Sequence, residues 1–170
     1  MVNEDRTASS PAGRSPLQAG LSAPNFRLPW RPEGTLELSQ FLGQPVILSF
    51  YTGDWDPVSA DQLSQYQESL PEFELFGARL IGLSVDSVWS HQTFAQKLGL
   101  TFPLLSDFEP KGKVARAYGV YSEEAGTSER ALFVIDPQGS IAWSYVFPDC
   151  VNPGIDGILT ALESIERSRS

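Results

Sequence analysis

Residues 45–63 read Pro-Val-Ile-Leu-Ser-Phe-Tyr-Thr-Gly-Asp-Trp-Asp-Pro-Val-Ser-Ala-Asp-Gln-Leu. The first seven, Pro45 to Tyr51, form a short apolar run rich in β-branched and aromatic side chains, the pattern of a strand buried on both faces. A loop containing Gly, Asp and Pro follows. From Val58 to about Phe76 the apolar residues then fall at helical spacing, at Leu63, Tyr66, Leu70 and Phe73. Pro57 suits the first turn of that helix. Pro71 removes a donor within it and predicts a kink or a split. A buried strand that runs through a loop into a helix is the start of an α/β unit, and in such sheets ligands bind at the strands' carboxyl ends.

Downstream, the alternation of strands and helices continues. Arg79–Val85 reads as a second apolar strand, after which Asp86 or Ser87 caps a helix through about Leu98 that Gly99 stops. Phe102–Leu105 predicts a short strand and Lys111–Tyr118 a short helix ended by Gly119. Tyr121–Ser128 is polar and reads as a loop. Arg130–Ile135 and Ser140–Val146 are strands joined by Asp136-Pro137-Gln138-Gly139, a hairpin turn. Asn152 is expected to cap a last helix, with Pro153 near its first position and Ile155, Ile158, Leu159, Leu162 and Ile165 on its apolar face.

Upstream, Asn25–Leu28 and Thr35–Leu38 read as two short strands, and residues 39–43 as a helical turn ending at Gly43. Residues 1–20 carry few large apolar side chains and predict a flexible tail before a single domain at 21–170. The expected fold is α/β, with a mixed central sheet and helices on both faces, the thioredoxin-like arrangement.

Composition removes much chemistry. The chain has 170 residues, with 12 Lys and Arg against 21 Asp and Glu, a net charge of −9. That balance argues against nucleic acid and anionic membrane as partners. A single cysteine, Cys150, excludes an intramolecular disulfide, a Cys-based metal cluster and a two-thiol redox cycle within one chain. A single histidine, His91, excludes a multi-His metal site. No segment has the roughly 18 apolar residues of a membrane span. With no apolar signal region at the start, the expected location is cytoplasmic. No metal or cofactor is implied.

The run Gly43-Gln44-Pro45 to Tyr51, the segment Phe102-Pro-Leu-Leu-Ser-Asp107, the hairpin from Arg130 to Gly139 and Asn152-Pro-Gly154 together resemble the peroxiredoxins. The likeness is to the alkyl hydroperoxide reductase and thiol-specific antioxidant type, bacterioferritin-comigratory-like members above all, and spans roughly residues 20–168. It implies a thioredoxin-like fold of peroxiredoxin type. The family's active loop has the pattern Pro-x-x-x-Thr/Ser-x-x-Cys, which falls here on Thr52, Asp56 and Ser59. All three differ from the pattern, and only Arg130 matches the family's active-site arginine. The place of a resolving cysteine in some relatives falls on Ser90. By this resemblance the attacking and resolving positions are both serine.

A peroxidatic cysteine works as a thiolate, favoured by a helix N-terminus and an arginine. The hydroxyl of Ser59 cannot be ionised by the same means, and Asp56 would set a carboxylate against any anion there. The leading expectation is a peroxiredoxin-like protein without thiol peroxidase activity, acting through its remnant pocket or a dimer face. The alternative is a thioredoxin-dependent hydroperoxide reductase whose cysteines at positions 59 and 90 have been replaced by serine. Changes at 52 and 56 as well as 59 favour natural loss over deliberate substitution. A homodimer, or a pairing with an active peroxiredoxin, is a third role.

Other readings concern single residues. Ser59 with His91 as base and Asp54 or Asp56 as orienter would be a hydrolytic triad, but a helix-start hydroxyl is the simpler role for Ser59. His91 is expected at the surface, and Cys150 as an inert loop thiol beside Asp149. Arg130 either binds an anion or pairs with a nearby acid. Phe50, Tyr51 and Trp55 read as core or pocket wall, and Trp89 and Trp143 as core or dimer contact.

Overall fold

The structure, a computed structural model, describes residues 15–170. Strands β1 (Arg27–Arg31) and β2 (Gly34–Glu37) form an antiparallel pair, followed by a 3₁₀ turn at Leu38–Phe41. Then come β3 (Val46–Phe50), α1 (Pro57–Glu74), β4 (Arg79–Ser84), α2 (Val88–Leu98), β5 (Leu104–Ser106) and α3 (Lys113–Ala117). The chain ends with β6 (Tyr121–Ser122), β7 (Thr127–Ser128), β8 (Arg130–Ile135), β9 (Ile141–Phe147) and α4 (Asp156–Arg169). The central sheet has five strands in the order β5-β4-β3-β8-β9. The βαβ connections make β3, β4 and β5 parallel, while β8 and β9 join as an antiparallel hairpin.

Strand side chains alternate between two cores, as period 2 requires. Leu48, Phe50 and Phe133 face one core with Tyr118, while Ile47, Leu132 and Val134 face the other with α1 and α4. Arg130 has the parity of Leu132 and Val134. Because β8 runs antiparallel to β3, pairing Ala131 with Phe50, Arg130 lies beside the carboxyl end of β3. That register brings an arginine to the loop 51–56, some 75 residues earlier in the chain.

Four expectations need correction. Pro71 does not split α1, which runs from 57 to 74 through the proline; what the ring removes is the single bond from its own nitrogen to the Gln67 carbonyl, and the helix continues across that gap. The stretch 121–128 is not all loop, since β6 and β7 pair across it. Asn152 does not cap the last helix. Its side chain accepts a hydrogen bond from the Gly154 amide at 3.0 Å, closing a local turn, and α4 starts at Asp156. The tail expected over 1–20 lies partly outside the described residues, but 15–20 are held against the domain. The Leu17 amide donates to the Tyr118 carbonyl at 3.1 Å, the Gly20 amide to Ile141 at 2.8 Å, and Ile141 in return to Leu21 at 2.8 Å. This segment lies along the start of the edge strand β9. Among the described residues no helix is long and apolar enough to cross a membrane.

Candidate active site

The site is built at the carboxyl end of β3, where the chain turns into α1. Asp56 is the N-cap of α1, with Pro57 behind it. Its Oδ2 accepts from the Ser59 amide at 2.9 Å, satisfying a helix-terminal donor that has no partner within the helix. The same oxygen accepts from the Ser59 hydroxyl at 2.7 Å, and the Thr52 hydroxyl lies 3.3 Å from it. Ser59 is fully buried on the first turn of α1.

Arg130 reaches this cluster from β8 and is itself 0 % exposed. Its Nη2 donates to Asp56 Oδ2 at 2.9 Å and to the Asp149 carbonyl at 2.9 Å. Nη1 donates to Ser59 Oγ at 3.0 Å and to Gln62 Oε1 at 2.8 Å, and Nε donates to the Asp149 carbonyl at 3.2 Å. A guanidinium has five N–H donors, and each has an acceptor here. Burial works against the Asp56 carboxylate, but the hydroxyl and amide of Ser59 and the guanidinium of Arg130 outweigh it and hold the carboxyl below its ordinary range. Of the two roles open for Arg130, pairing with an acid is the one its geometry fills.

Thr52, Asp56, Ser59 and Arg130 thus converge. Ser90 does not join them: it lies in the first turn of α2, its amide donating to the capping Ser87 Oγ at 3.2 Å. Gln62 was not singled out by the sequence, although it lies three residues after Ser59 and hence on the same helix face. It bridges Arg130 to Ser49 Oγ, at 3.3 Å, and to the Tyr66 hydroxyl, at 3.1 Å. The Asp149 carbonyl is a backbone group and leaves no signal in residue types.

His91 is not at the surface. It is 1 % exposed, with Nδ1 2.9 Å from Asp54 Oδ2 and Nε2 3.0 Å from the Leu105 carbonyl oxygen. Both nitrogens are engaged away from Ser59, whose hydroxyl is itself taken by Asp56 and Arg130, so the hydrolytic triad does not form. Tyr51 and Phe50 are buried as expected, whereas Trp55 is half exposed, with φ of 71°. Its ring packs edge-on against Phe94 at 5.2 Å, under the Lys97 ammonium. Trp89 is exposed and Trp143 half-buried against the second core. Cys150 is exposed, immediately after Asp149.

The AhpC/TSA family pattern matches residues 19–144. The chain belongs to this family, the peroxiredoxins. It is 39% identical over 135 residues to the selenocysteine-containing peroxiredoxin PrxU of Peptoclostridium acidaminophilum, covering 74% of this chain and 66% of that protein. It is 36% identical over 129 residues to alkyl hydroperoxide reductase E of Mycobacterium tuberculosis, covering 75% of this chain and 84% of that one. Among solved structures, peroxidoxin BcpB from Mycobacterium tuberculosis superposes with a TM-score of 0.79 at 28% identity, over 88% of this chain and 98% of its own. The thioredoxin-like α/β fold of a peroxiredoxin is therefore the fold of this chain. Its one cysteine, exposed at position 150, lies outside the helix start that the site occupies.

Proposed function

We propose that this peroxiredoxin lacks thiol peroxidase activity and serves as a binding or regulatory protein. One observation carries the reading. The Asp56 carboxylate occupies the donors of the Ser59 amide, the Ser59 hydroxyl and Arg130 together. By the family resemblance, these donors surround the place of the reactive thiolate and its peroxide. On that reading the Asp56 carboxylate is an internal anion in that place, and the side chain at position 59 is an alcohol. An alcohol at pH 7 has too small an anionic fraction to attack an O–O bond, and Ser59 spends its proton on Asp56. The alternative, a thioredoxin-dependent reductase with cysteines at 59 and 90, explains the two serines but not Thr52 or Asp56.

With every Arg130 donor committed, binding falls to the outer surface: a second copy of this chain, or an active peroxiredoxin. The free, exposed thiol of Cys150 is compatible with a reducing, cytoplasmic setting. The deciding experiment mixes the purified protein with hydrogen peroxide or an organic hydroperoxide, thioredoxin, its reductase and NADPH. NADPH oxidation should not rise above the protein-free rate. A rate that scales with the concentration of this chain overturns the proposal.

A further inference from the structure

His91 is the single histidine of the chain, and its ring sits among acceptors. The Leu105 carbonyl oxygen on β5 can only accept, so Nε2 carries a hydrogen. Nδ1 lies between both oxygens of Asp54, 3.1 Å from Oδ1 and 2.9 Å from Oδ2, and that carboxylate is 0 % exposed. The Tyr51 hydroxyl is 2.7 Å from Asp54 Oδ1 and 3.3 Å from Nδ1. It has one hydrogen, and the shorter contact takes it. Burial, with the Asp54 charge beside it, pushes the Tyr51 phenol well above its ordinary range, so that hydrogen stays in place. The Nδ1 contact then needs a hydrogen of its own. Otherwise a ring lone pair would face two carboxylate oxygens in a dry site. A ring N–H shared by both oxygens fits the near-equal distances, whereas a carboxylic acid proton would favour one oxygen.

We propose that His91 is a buried imidazolium, donating from Nδ1 to Asp54 and from Nε2 to Leu105, and that this ion pair is a proton-dependent latch on the loop carrying Thr52 and Asp56. Loss of the Nδ1 proton to solvent leaves a neutral ring and a buried carboxylate held by the Tyr51 hydroxyl without a cation. The loop then parts from α2. The other groups facing the pair supply no second cation. Asp86, on the β4–α2 loop, accepts from the Asp54 amide at 2.8 Å and from the Ser84 hydroxyl at 2.6 Å. Lys97 of α2 lies over the Trp55 ring, and Arg31 of β1, which lines the same groove as His91, stacks on Trp30. His91 is the one basic group within ion-pair distance of Asp54 among the described residues. Asp54 lies between Thr52 and Asp56, so His91 positions the site without touching it. The latch does not depend on whether the chain turns over peroxide.

Long-range ¹H–¹⁵N NMR of the single imidazole tests the proposal on the unaltered protein. At neutral pH both ring nitrogens should resonate in the protonated range, and Nδ1 should carry a far-downfield proton. On raising the pH, loss of that signature should coincide with a shift of the Trp55 indole N–H resonance. One unprotonated nitrogen at neutral pH overturns the imidazolium. Deprotonation with no response at Trp55 overturns the latch. In Asp54→Asn, which has the same shape without the charge, the imidazolium signature should be lost at neutral pH. Its persistence there would also refute the pairing.

Discussion

Replacing Asp56 by alanine removes, besides its bonds from the Ser59 and Thr52 hydroxyls, two separable contributions. The first is the N-cap of α1, accepting from the Ser59 amide at 2.9 Å, worth about 1 kcal/mol. The second is the charged hydrogen bond to a fully buried guanidinium, Arg130 Nη2 at 2.9 Å. Hydrogen bonds to charged groups contribute roughly 1.5–3 kcal/mol. The Asp56 side chain is 33 % exposed, so solvent screens it and the lower half of that range applies. The sum for Asp56→Ala is about 2.5–3 kcal/mol of stability lost. Asp56→Asn keeps a cap of nearly equal quality and an oxygen for Arg130, and loses only the charge, about 1 kcal/mol. Urea unfolding followed by tryptophan emission gives both values as shifts of the midpoint at constant slope.

The dependence on pH adds an independent check. The Asp56 carboxyl titrates below its ordinary value in the folded protein because the bonds from Ser59 and Arg130 outweigh burial. A depressed folded value means the stabilisation is complete above the unfolded value, near 4, and is lost as pH falls through the folded one. The gap between wild type and Asp56→Asn should therefore be constant at neutral pH and close in acid. An Asp56→Ala protein that unfolds at the wild-type urea concentration, or a gap that widens in acid, refutes the account of the site.

Further outcomes follow from neighbouring geometry. Ser59→Cys alone should leave peroxide consumption slow, since the new thiol would face the Asp56 carboxylate that now lies 2.7 Å from Oγ; adding Thr52→Pro and Asp56→Thr should raise the second-order rate at least tenfold over the single variant. Stopped-flow loss of hydrogen peroxide measures both, and a fast single variant contradicts the expectation. Gly99 ends α2 with φ of +67° and has nothing within 4 Å of a Cβ, so Gly99→Ala should cost about 1 kcal/mol in urea unfolding, from backbone strain alone. Gly119→Ala adds to a similar strain a collision with the Ser15 carbonyl and the Pro16 backbone. It should cost more than Gly99→Ala and speed amide exchange at Leu17 and Gly20.

Where the sequence speaks through local pattern, it is legible. The apolar runs at 45–51 and 79–85 and the Asp-Pro-Gln-Gly turn each carry their own physical reason to be strand or hairpin, and each is observed within a residue or two. The two-residue strands β6 and β7 are too short to show a period. Asn152 has the chemistry of a helix cap, yet its side chain is satisfied two residues on, and nothing local distinguishes the two outcomes. Thr52, Asp56, Ser59 and Arg130 could be singled out because the family resemblance carries a spacing. The burial of His91 could not, because its partners Asp54 and Leu105 lie 37 and 14 residues away. A polar residue's depth depends on who meets it.

The Arg130 node also has a consequence for how the molecule assembles. Its donors join α1, β8 and the segment before α4, over separations of 71, 68 and 19 residues. A guanidinium left in the dry interior with half its acceptors absent is costly, so partial assembly is penalised. Closing such long loops is also slow relative to local contacts. Docking of α1, pairing of β3 with β8 and settling of residue 149 should therefore occur in one concerted late step. The buried charge makes this end of the sheet all-or-none: a form with α1 detached while β8 stays paired would strand the arginine, and should not accumulate.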